Sequence, residues 1–225
     1  MPDFPDKTTQ KRVDDWIEAH LIEEDEALLR PLRQAVEYDV PPISVSAAQG
    51  AFLNLLAQSM GAKRILEIGC LMGYSTLWLA RALPEGGKLL SLDIFDRNVR
   101  TARENCEFAG LGDKVDFMCG PAERSLNILV NDGVAPFDLI FMDADKVSYP
   151  VYFERILHLS KSGTVIIADN IIRKGEVVDP ASTLPAVRGI NEFMRMVQAD
   201  PRLEATALQT VGCKGHDGFA MVRMK

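Results

Sequence analysis

Two short apolar segments of this chain end abruptly in polar side chains that could hold a metal ion. The first, residues 141–146, reads FMDADK, and the second, residues 166–170, reads IIADN. Each apolar run is typical of a buried parallel strand, and its polar end then marks the carboxyl edge of a sheet, where open α/β folds bind ligands. If the two strands are neighbours, Asp143, Asp169 and Asn170 converge on one point. Three oxygen donors of this kind suit a hard divalent cation.

A divalent cation at this point would lower the pKa of a bound hydroxyl group, and Lys146 could then accept the proton. A nearby cation and partial burial lower the pKa of a lysine, whereas neighbouring carboxylates raise it. We expect magnesium, and manganese or calcium could replace it because oxygen ligands select weakly among these ions. Alternatively, Asp143 and Asp169 are helix caps or loop acids and Lys146 is a surface charge. Two acidic clusters on consecutive strand ends favour the metal site.

The chain around these segments alternates between short apolar runs and helical patterns from residue 63 onward. Five successive strand–helix units predict an α/β fold with a doubly wound, mostly parallel, seven-stranded sheet. The last two segments predict a hairpin that forms an antiparallel edge. The predicted strands are Arg64–Ile68, Lys88–Leu92, Val115–Cys119, Phe137–Met142, Thr164–Ala168, Leu203–Leu208 and Gly218–Met224.

The N-terminal part of the chain carries apolar residues at roughly helical spacing, which predicts helices. Pro31 is expected to break or begin a helix there, and a further helix is expected to start near Ser46. No linker marks a second domain, so residues 1–225 are predicted to form a single domain. Within it, residues 1–45 would be a helical lid or a dimerisation segment, and residues 46–225 the catalytic core.

The loop after the first predicted strand reads EIGCLMGYS from Glu67 onward and departs from the glycine pattern of dinucleotide sites. Cys70 replaces the middle glycine that admits a pyrophosphate, and Glu67 places a carboxylate where phosphate would lie. Both features favour a ligand with a cationic amino group and no phosphate, such as S-adenosylmethionine. Its carboxylate could meet amides at the helix N-terminus and the hydroxyl of Ser75. Alternatively, Gly69 and Gly73 only permit a tight turn.

Two further strand ends fit the rest of such a ligand. Asp93 lies about two dozen residues beyond the loop, where an acidic side chain binds ribose hydroxyls in this topology. It could instead be a helix N-cap or a solvated acid. The small residues from Gly120 to Ala122 would let an adenine ring lie against the backbone. A plain helix start with Pro121 in its first turn is the alternative, and the two roles are compatible.

Together these motifs resemble the cation-dependent class of S-adenosylmethionine-dependent O-methyltransferases, which includes caffeoyl-CoA and catechol O-methyltransferases. The resemblance runs from about residue 40 to the C-terminus, and its specific motifs are DADK, followed by Tyr149, and ADN. It implies a Rossmann-like class I methyltransferase fold. The residues that match the family's metal ligands are Asp143, Asp169 and Asn170. Those that match its catalytic residues are Lys146 and Asp143. Those that match its cofactor contacts are Val45, Glu67, Gly69, Tyr74, Ser75, Asp93, Ala122, Asp143 and Asp145.

Composition limits the partners of the chain. Its 225 residues carry a net charge of −7, which argues against general binding to nucleic acid. No apolar run is long enough to span a membrane, and no signal peptide is recognisable at the N-terminus. The four cysteines form no CxxC pair, so we expect reduced thiols in the cytoplasm.

The leading hypothesis is a metal-dependent O-methyltransferase that acts on a catechol-like small molecule and forms a homodimer. One rival is a non-catalytic protein that binds the same cofactor, which the complete DADK and ADN motifs disfavour. The other is a nicotinamide-dependent oxidoreductase, which Cys70 and Glu67 disfavour. Arg173, Lys174 and Glu176 follow the second polar segment and either line the acceptor entrance or are solvated.

Overall fold

A computed structural model describes residues 6–225 and contains one seven-stranded sheet. The strands are β1 (Arg64–Ile68), β2 (Lys88–Asp93), β3 (Val115–Cys119), β4 (Phe137–Met142), β5 (Ser160–Ala168), β6 (Leu203–Gly212) and β7 (Gly215–Met224). Their order across the sheet is β3-β2-β1-β4-β5-β7-β6, with β7 antiparallel to both β5 and β6. The predicted fold class is therefore confirmed. Both strands of the closing hairpin, and β5, are longer than the sequence pattern indicated.

Eight α-helices accompany the sheet in the described part of the chain. They are α1 (Lys7–Leu21), α2 (Glu26–Glu37), α3 (Ala47–Ser59), α4 (Tyr74–Ala82), α5 (Asp96–Phe108), α6 (Ala122–Asn131), α7 (Tyr149–His158) and α8 (Pro185–Ala199). Short 3₁₀ turns cover Gly112–Lys114, Lys146–Ser148 and Arg173–Val178. Across residues 6–225, every helix is too short or too polar to traverse a lipid bilayer.

One expectation about the N-terminal helices was wrong. Pro31 neither breaks nor begins a helix but lies inside α2, where it is buried. A proline in a helix interior removes one hydrogen bond and crowds the preceding turn. The apolar face of α2, with Leu28 and Ala35 buried, offsets that cost through tertiary packing. Ser46 does cap α3, and its hydroxyl accepts a hydrogen bond from the amide of Gln49 at 3.2 Å.

The two faces of the sheet carry separate apolar cores, and the central strands are buried on both faces. In β1, Leu66 and Ile68 pack against α6, α7 and α8, whereas Ile65 faces the side covered by α3 and α4. This burial explains why the central strands read as continuous apolar runs.

The register of the strands brings the polar segments together. Ile68 of β1 pairs with Met142 of β4, and Met142 pairs with Ala168 of β5. The next residues along β4 and β5 are Asp143 and Asp169, so both emerge at the same carboxyl edge. The expected adjacency of the two polar strand ends is observed in the sheet.

Candidate active site

The loop between β1 and α4 fits closely beneath the end of β4. Gly69 has φ 99°, and a Cβ atom at this position would lie 2.2 Å from the carbonyl oxygen of Asp143. Gly73 has φ 90°, and its Cβ would lie 3.0 Å from Ala102 of α5. Both positions therefore require glycine, for backbone conformation and for space. These two glycines of the motif therefore allow the loop to pack closely against the end of β4, next to Asp143.

Asp93 fastens this loop to the end of β2. One carboxylate oxygen accepts hydrogen bonds from the amides of Cys70 at 3.2 Å and Leu71 at 3.0 Å. The other accepts from the amide of Phe95 and the side-chain amide of Asn98, both at 3.0 Å. These four hydrogen bonds fix the orientation of the Asp93 side chain. Asp93 faces the cavity described below.

Glu67 lies on the side of β1 that faces α4 and is fully buried. Its carboxylate accepts hydrogen bonds from the hydroxyls of Ser75 at 2.6 Å, Thr76 at 2.5 Å and Ser91 at 2.5 Å. Burial raises the pKa of Glu67 to about 7, although the three hydroxyl donors act to lower it and the charge of Asp143 raises it slightly. Glu67 therefore holds the first turn of α4 against β1 and β2.

The second acidic cluster lies where β4 and β5 end. Lys146 Nζ lies 2.6 Å from Asp143 Oδ1, and the lysine side chain is only 9% exposed. Asp169 is buried, and burial together with the nearby charge of Asp143 raises its pKa to about 7. The hydroxyl of Tyr149 donates to the carbonyl oxygens of Met142 at 2.8 Å and Asp169 at 2.9 Å. This tyrosine, itself fully buried, bridges the two strand ends.

Asp145 begins the turn that carries Lys146. Its carboxylate accepts from the amides of Val147 at 3.3 Å and Ser148 at 3.1 Å, and from the Ser148 hydroxyl at 2.7 Å. The turn packs against α8, where a Cβ on Gly189 would lie 2.2 Å from the carbonyl oxygen of Lys146. The position of Lys146 is therefore fixed by a cap on one side and a helix on the other.

The donors at these strand ends fit a hard cation in their chemistry. Burial is the main cause of the raised pKa of Asp169, and the nearby charge of Asp143 adds to it. A cation held by both carboxylates would relieve the repulsion between them. Asn170 adds an amide oxygen and adopts φ 54°, a conformation that asparagine tolerates better than most residues. Within residues 6–225 no group of three or more His, Cys, Asp or Glu side chains has metal-binding geometry. The proposed ligands Asp143, Asp169 and Asn170 are not such a group, because Asn170 supplies an amide oxygen.

A cavity of about 830 Å³ connects the glycine loop with this acidic cluster. Most of the site residues predicted from the sequence line it: Val45, Gly69, Tyr74, Ser75, Asp93, Ala122, Asp143, Asp145, Lys146 and Asn170. Glu67 and Asp169 are buried and are not among its lining residues. Sequence reasoning missed Ile94, Phe95, Asn98 and Tyr152, which also line the cavity. The sequence does show that two apolar residues, Ile94 and Phe95, follow Asp93 directly, and the structure shows that both are exposed.

The O-methyltransferase family model matches residues 19–225. Catechol O-methyltransferases from Niastella koreensis and Mycobacterium tuberculosis are 47% and 39% identical over 213 residues, which cover 95% of this chain and 96% and 95% of theirs. An O-methyltransferase from Bacillus cereus, solved in complex with S-adenosylhomocysteine, is 47% identical with a TM-score of 0.95 and covers 98% of this chain and 100% of its own.

A second solved structure, TomG from Streptomyces achromogenes in complex with S-adenosylmethionine, is 38% identical with a TM-score of 0.95, and the match covers 99% of this chain and 100% of that one. These similarities extend over nearly the whole of both chains. The protein belongs to the O-methyltransferase family and is therefore an enzyme of the transferase class, which confirms the family predicted from its motifs.

Proposed function

We propose that this enzyme transfers the methyl group of S-adenosylmethionine to one hydroxyl of a catechol-like acceptor, with a divalent cation held by Asp143, Asp169 and Asn170. The observation that carries this proposal is the continuous cavity, which has the glycine loop at one end and Lys146 with Asn170 at the other. A methyl donor and an acceptor can therefore lie in one space. The S-adenosyl ligands of the two solved relatives support the choice of cofactor.

The proposed cofactor contacts follow from the lining of the cavity. Asp93, oriented by four hydrogen bonds, would accept from the ribose hydroxyls. Ala122 would lie against the adenine, and the methionine part would lie near Val45, Gly69, Tyr74, Ser75 and Asp145. Glu67 would act through the hydroxyls it binds, because the protein encloses its carboxylate completely.

The proposed chemistry is an in-line displacement at the methyl group by a hydroxyl oxygen of the acceptor. A cation in this site would supply positive charge that favours the ionised hydroxyl. Lys146 would accept the hydroxyl proton after releasing its own proton to solvent. Sharing of the Asp143 charge with the cation would weaken the ion pair that holds the protonated lysine. Tyr149 holds the two strand ends at a fixed separation, so the donors need little rearrangement.

Magnesium is the proposed cation, with manganese or calcium as functional substitutes, because all three prefer oxygen ligands. The catechol-like acceptor is supported by the names of the two relatives from Niastella koreensis and Mycobacterium tuberculosis. A vicinal diol also suits the chemistry, because two adjacent oxygens can occupy neighbouring positions on one cation.

The test is methylation of a catechol by S-adenosylmethionine, with and without a chelator, in the wild type and in Asp169→Asn. We expect chelation to abolish turnover and added magnesium to restore it. Asp169→Asn should lower kcat/KM by about 100-fold, since it removes one of two carboxylate ligands. Asp179→Asn, which alters an exposed carboxylate in the loop after β5, should stay within about twofold of the wild type. Turnover that is insensitive to the chelator and to Asp169→Asn would refute the cation.

We also propose that the chain is a single domain that acts as a homodimer in the cytoplasm. Residues 1–5 of the predicted N-terminal segment lie outside the described residues. In the remainder, the hydroxyl of Tyr74 donates to Glu24 at 2.6 Å and Arg81 pairs with Asp25 at 2.7 Å, so the segment is attached to α4. Its last three residues, Ile43, Ser44 and Val45, line the cavity, which supports a lid. The four cysteines are free thiols, as in a reducing compartment.

A further inference from the structure

Arg173 lies in the turn just beyond Asn170 and lines the acceptor end of the cavity. We infer that Arg173 is a specificity-determining residue that selects catechol-like acceptors bearing a carboxylate. This inference rests on the proposed function, because it names the chemical class of the acceptor that the same site would take. Three observations carry it: the constrained backbone of the turn, the free guanidinium, and the charge of the surrounding wall.

The backbone at Arg173 is held in a conformation that L residues rarely adopt. Arg173 has φ 51° and Lys174 has φ 59°, so two successive residues with side chains are in the left-handed region. Such residues cost about 1–3 kcal/mol each and persist only when their surroundings fix them. One carboxylate oxygen of Asp217 accepts from the amides of Ile172 and Arg173 at 3.1 Å and Gly218 at 3.0 Å. These hydrogen bonds hold the turn in its unfavourable conformation, which fixes the direction in which the Arg173 side chain leaves the backbone.

Arg173 is half-buried and lines the cavity, and its guanidinium makes no hydrogen bond or ion pair with another residue of 6–225. The other cation of the wall, Lys146, is already paired with Asp143. The adjacent Lys174 is exposed and does not line the cavity. Arg173 therefore offers the donors that an incoming anion can occupy.

The remaining charges of the cavity are acidic: Asp93, Glu123, Asp143 and Asp145. An anionic acceptor would be repelled by this wall unless a cation met its charge. A guanidinium presents planar, paired donors that match a carboxylate, and charge-assisted pairs of this kind are stronger than neutral hydrogen bonds. Because Arg173 lies three residues from Asn170, it can contact a group at the edge of a diol bound near the strand ends.

The experiment compares acids with their neutral amides. The probes are 3,4-dihydroxybenzoate, 3-(3,4-dihydroxyphenyl)propanoate and the corresponding amides, with wild type, Arg173→Gln, Arg173→Lys and Lys174→Gln. Lys174→Gln is the matched control, because it removes the same charge from the same turn outside the cavity. We expect the wild type to favour at least one acid over its amide by about 10-fold in kcat/KM. Arg173→Gln should remove that preference by raising KM for the acid, Arg173→Lys should keep part of it, and Lys174→Gln should keep all of it.

The outcomes separate this inference from the proposed function. Equal use of acids and amides by the wild type, or a preference that survives Arg173→Gln, would overturn the role of Arg173. A rise in KM for S-adenosylmethionine alone would also overturn it, since Arg173 would then contact the cofactor. If the wild type methylates no diol, the proposed function fails, and calorimetric binding of each acid and amide to wild type and Arg173→Gln still decides the contact. Thermal melts of each variant check that it is folded.

Discussion

At the scale of single residues, Glu67 belongs to the glycine-loop motif but does not line the cavity. From the sequence, its carboxylate was expected where a dinucleotide would carry phosphate, which favours a ligand with a cationic amino group. In the structure the three hydroxyls of Ser75, Thr76 and Ser91 enclose it, and burial raises its pKa to about 7. Buried carboxylates are costly when ionised, so this position makes the stability of the protein depend on pH.

The pH dependence has a definite sign. The folded-state pKa of Glu67, about 7, lies above its ordinary value of 4.5, so the folded state binds the proton more tightly than the unfolded state. The resulting stabilisation is fully present below pH 4.5 and is lost as pH rises through about 7. At roughly 1.4 kcal/mol per pKa unit, the loss is about 3 kcal/mol.

Urea unfolding between pH 5 and 8 tests this expectation. Glu67→Gln keeps the shape of the side chain and removes the titration, so the wild-type free energy of unfolding should fall relative to this variant as pH rises. Glu85→Gln, at an exposed position, is the control and should follow the wild-type curve. Parallel curves for wild type and Glu67→Gln would show that the carboxylate does not titrate differently on folding.

At the scale of elements, the site depends on how closely the β1–α4 loop approaches β4. Gly69 donates its amide to the carbonyl oxygen of Leu92 at 2.8 Å, and the amide of Asp143 donates to Ile68 at 2.9 Å. These bonds extend the sheet one residue past its strands and fix the loop beneath the acidic cluster. The contact between Gly69 and Asp143 therefore links the proposed cofactor and cation sites.

Alanine at Gly69 should disrupt both sites. The added methyl would meet the Asp143 carbonyl at 2.2 Å, and backbone cannot move as cheaply as a flexible side chain. We expect a loss of about 3 kcal/mol or more in the free energy of unfolding, together with a fall in kcat. Gly163→Ala is the matched control: Gly163 also has positive φ, at 91°, but a Cβ there meets nothing within 4 Å.

The control should cost only the backbone penalty, about 1 kcal/mol, and should leave kcat unchanged. Denaturant unfolding and steady-state kinetics on both variants measure the difference. Equal losses in the two variants would mean that backbone conformation alone, rather than the approach to Asp143, requires glycine at position 69.

At the scale of the whole molecule, α1 differs from the other seven α-helices of residues 6–225 in that it buries no residue. Val13, Trp16 and Leu21 are 51%, 60% and 76% exposed. Asp14 nevertheless accepts a hydrogen bond from the amide of Cys213, so the helix is attached to the tip of the β6–β7 hairpin. An attached helix with an exposed apolar face suits the proposed contact with a second copy of this chain.

Trp16→Glu should therefore convert the proposed dimer into a monomer in sedimentation velocity, because it places a charge in the apolar contact. Its thermal stability as a monomer should change little, since Trp16 is mostly exposed and its ring contacts the exposed His20 of the same helix. Val178→Glu, at a position 83% exposed in the loop after β5, is the control and should remain dimeric. A monomeric wild type, or a dimer that persists in Trp16→Glu, would rule out this interface.

The sequence by itself determined the features that depend on the pattern of neighbouring residues. Apolar runs marked the strands, and the abrupt change to DADK and ADN marked the sheet edge, because parallel strands end where their burial ends. The alternation of strands and helices then implied the doubly wound sheet. The glycine pattern of the β1–α4 loop indicated that it is not a dinucleotide site. The prediction that Pro31 breaks or begins a helix was wrong, because tertiary packing of α2 outweighs the local cost of a proline inside it.

Only the tertiary structure decided which way the polar side chains face and what meets them. Ser91 reaches Glu67 from 24 positions away, and Asp217 fixes the turn at Arg173 from 44 positions away. Neither pairing leaves a signal in a short stretch of sequence, because both depend on strand register and on the pleat of the sheet. For the same reason, only the tertiary structure showed that Glu67 and Asp169 are buried and that the guanidinium of Arg173 has no partner among residues 6–225.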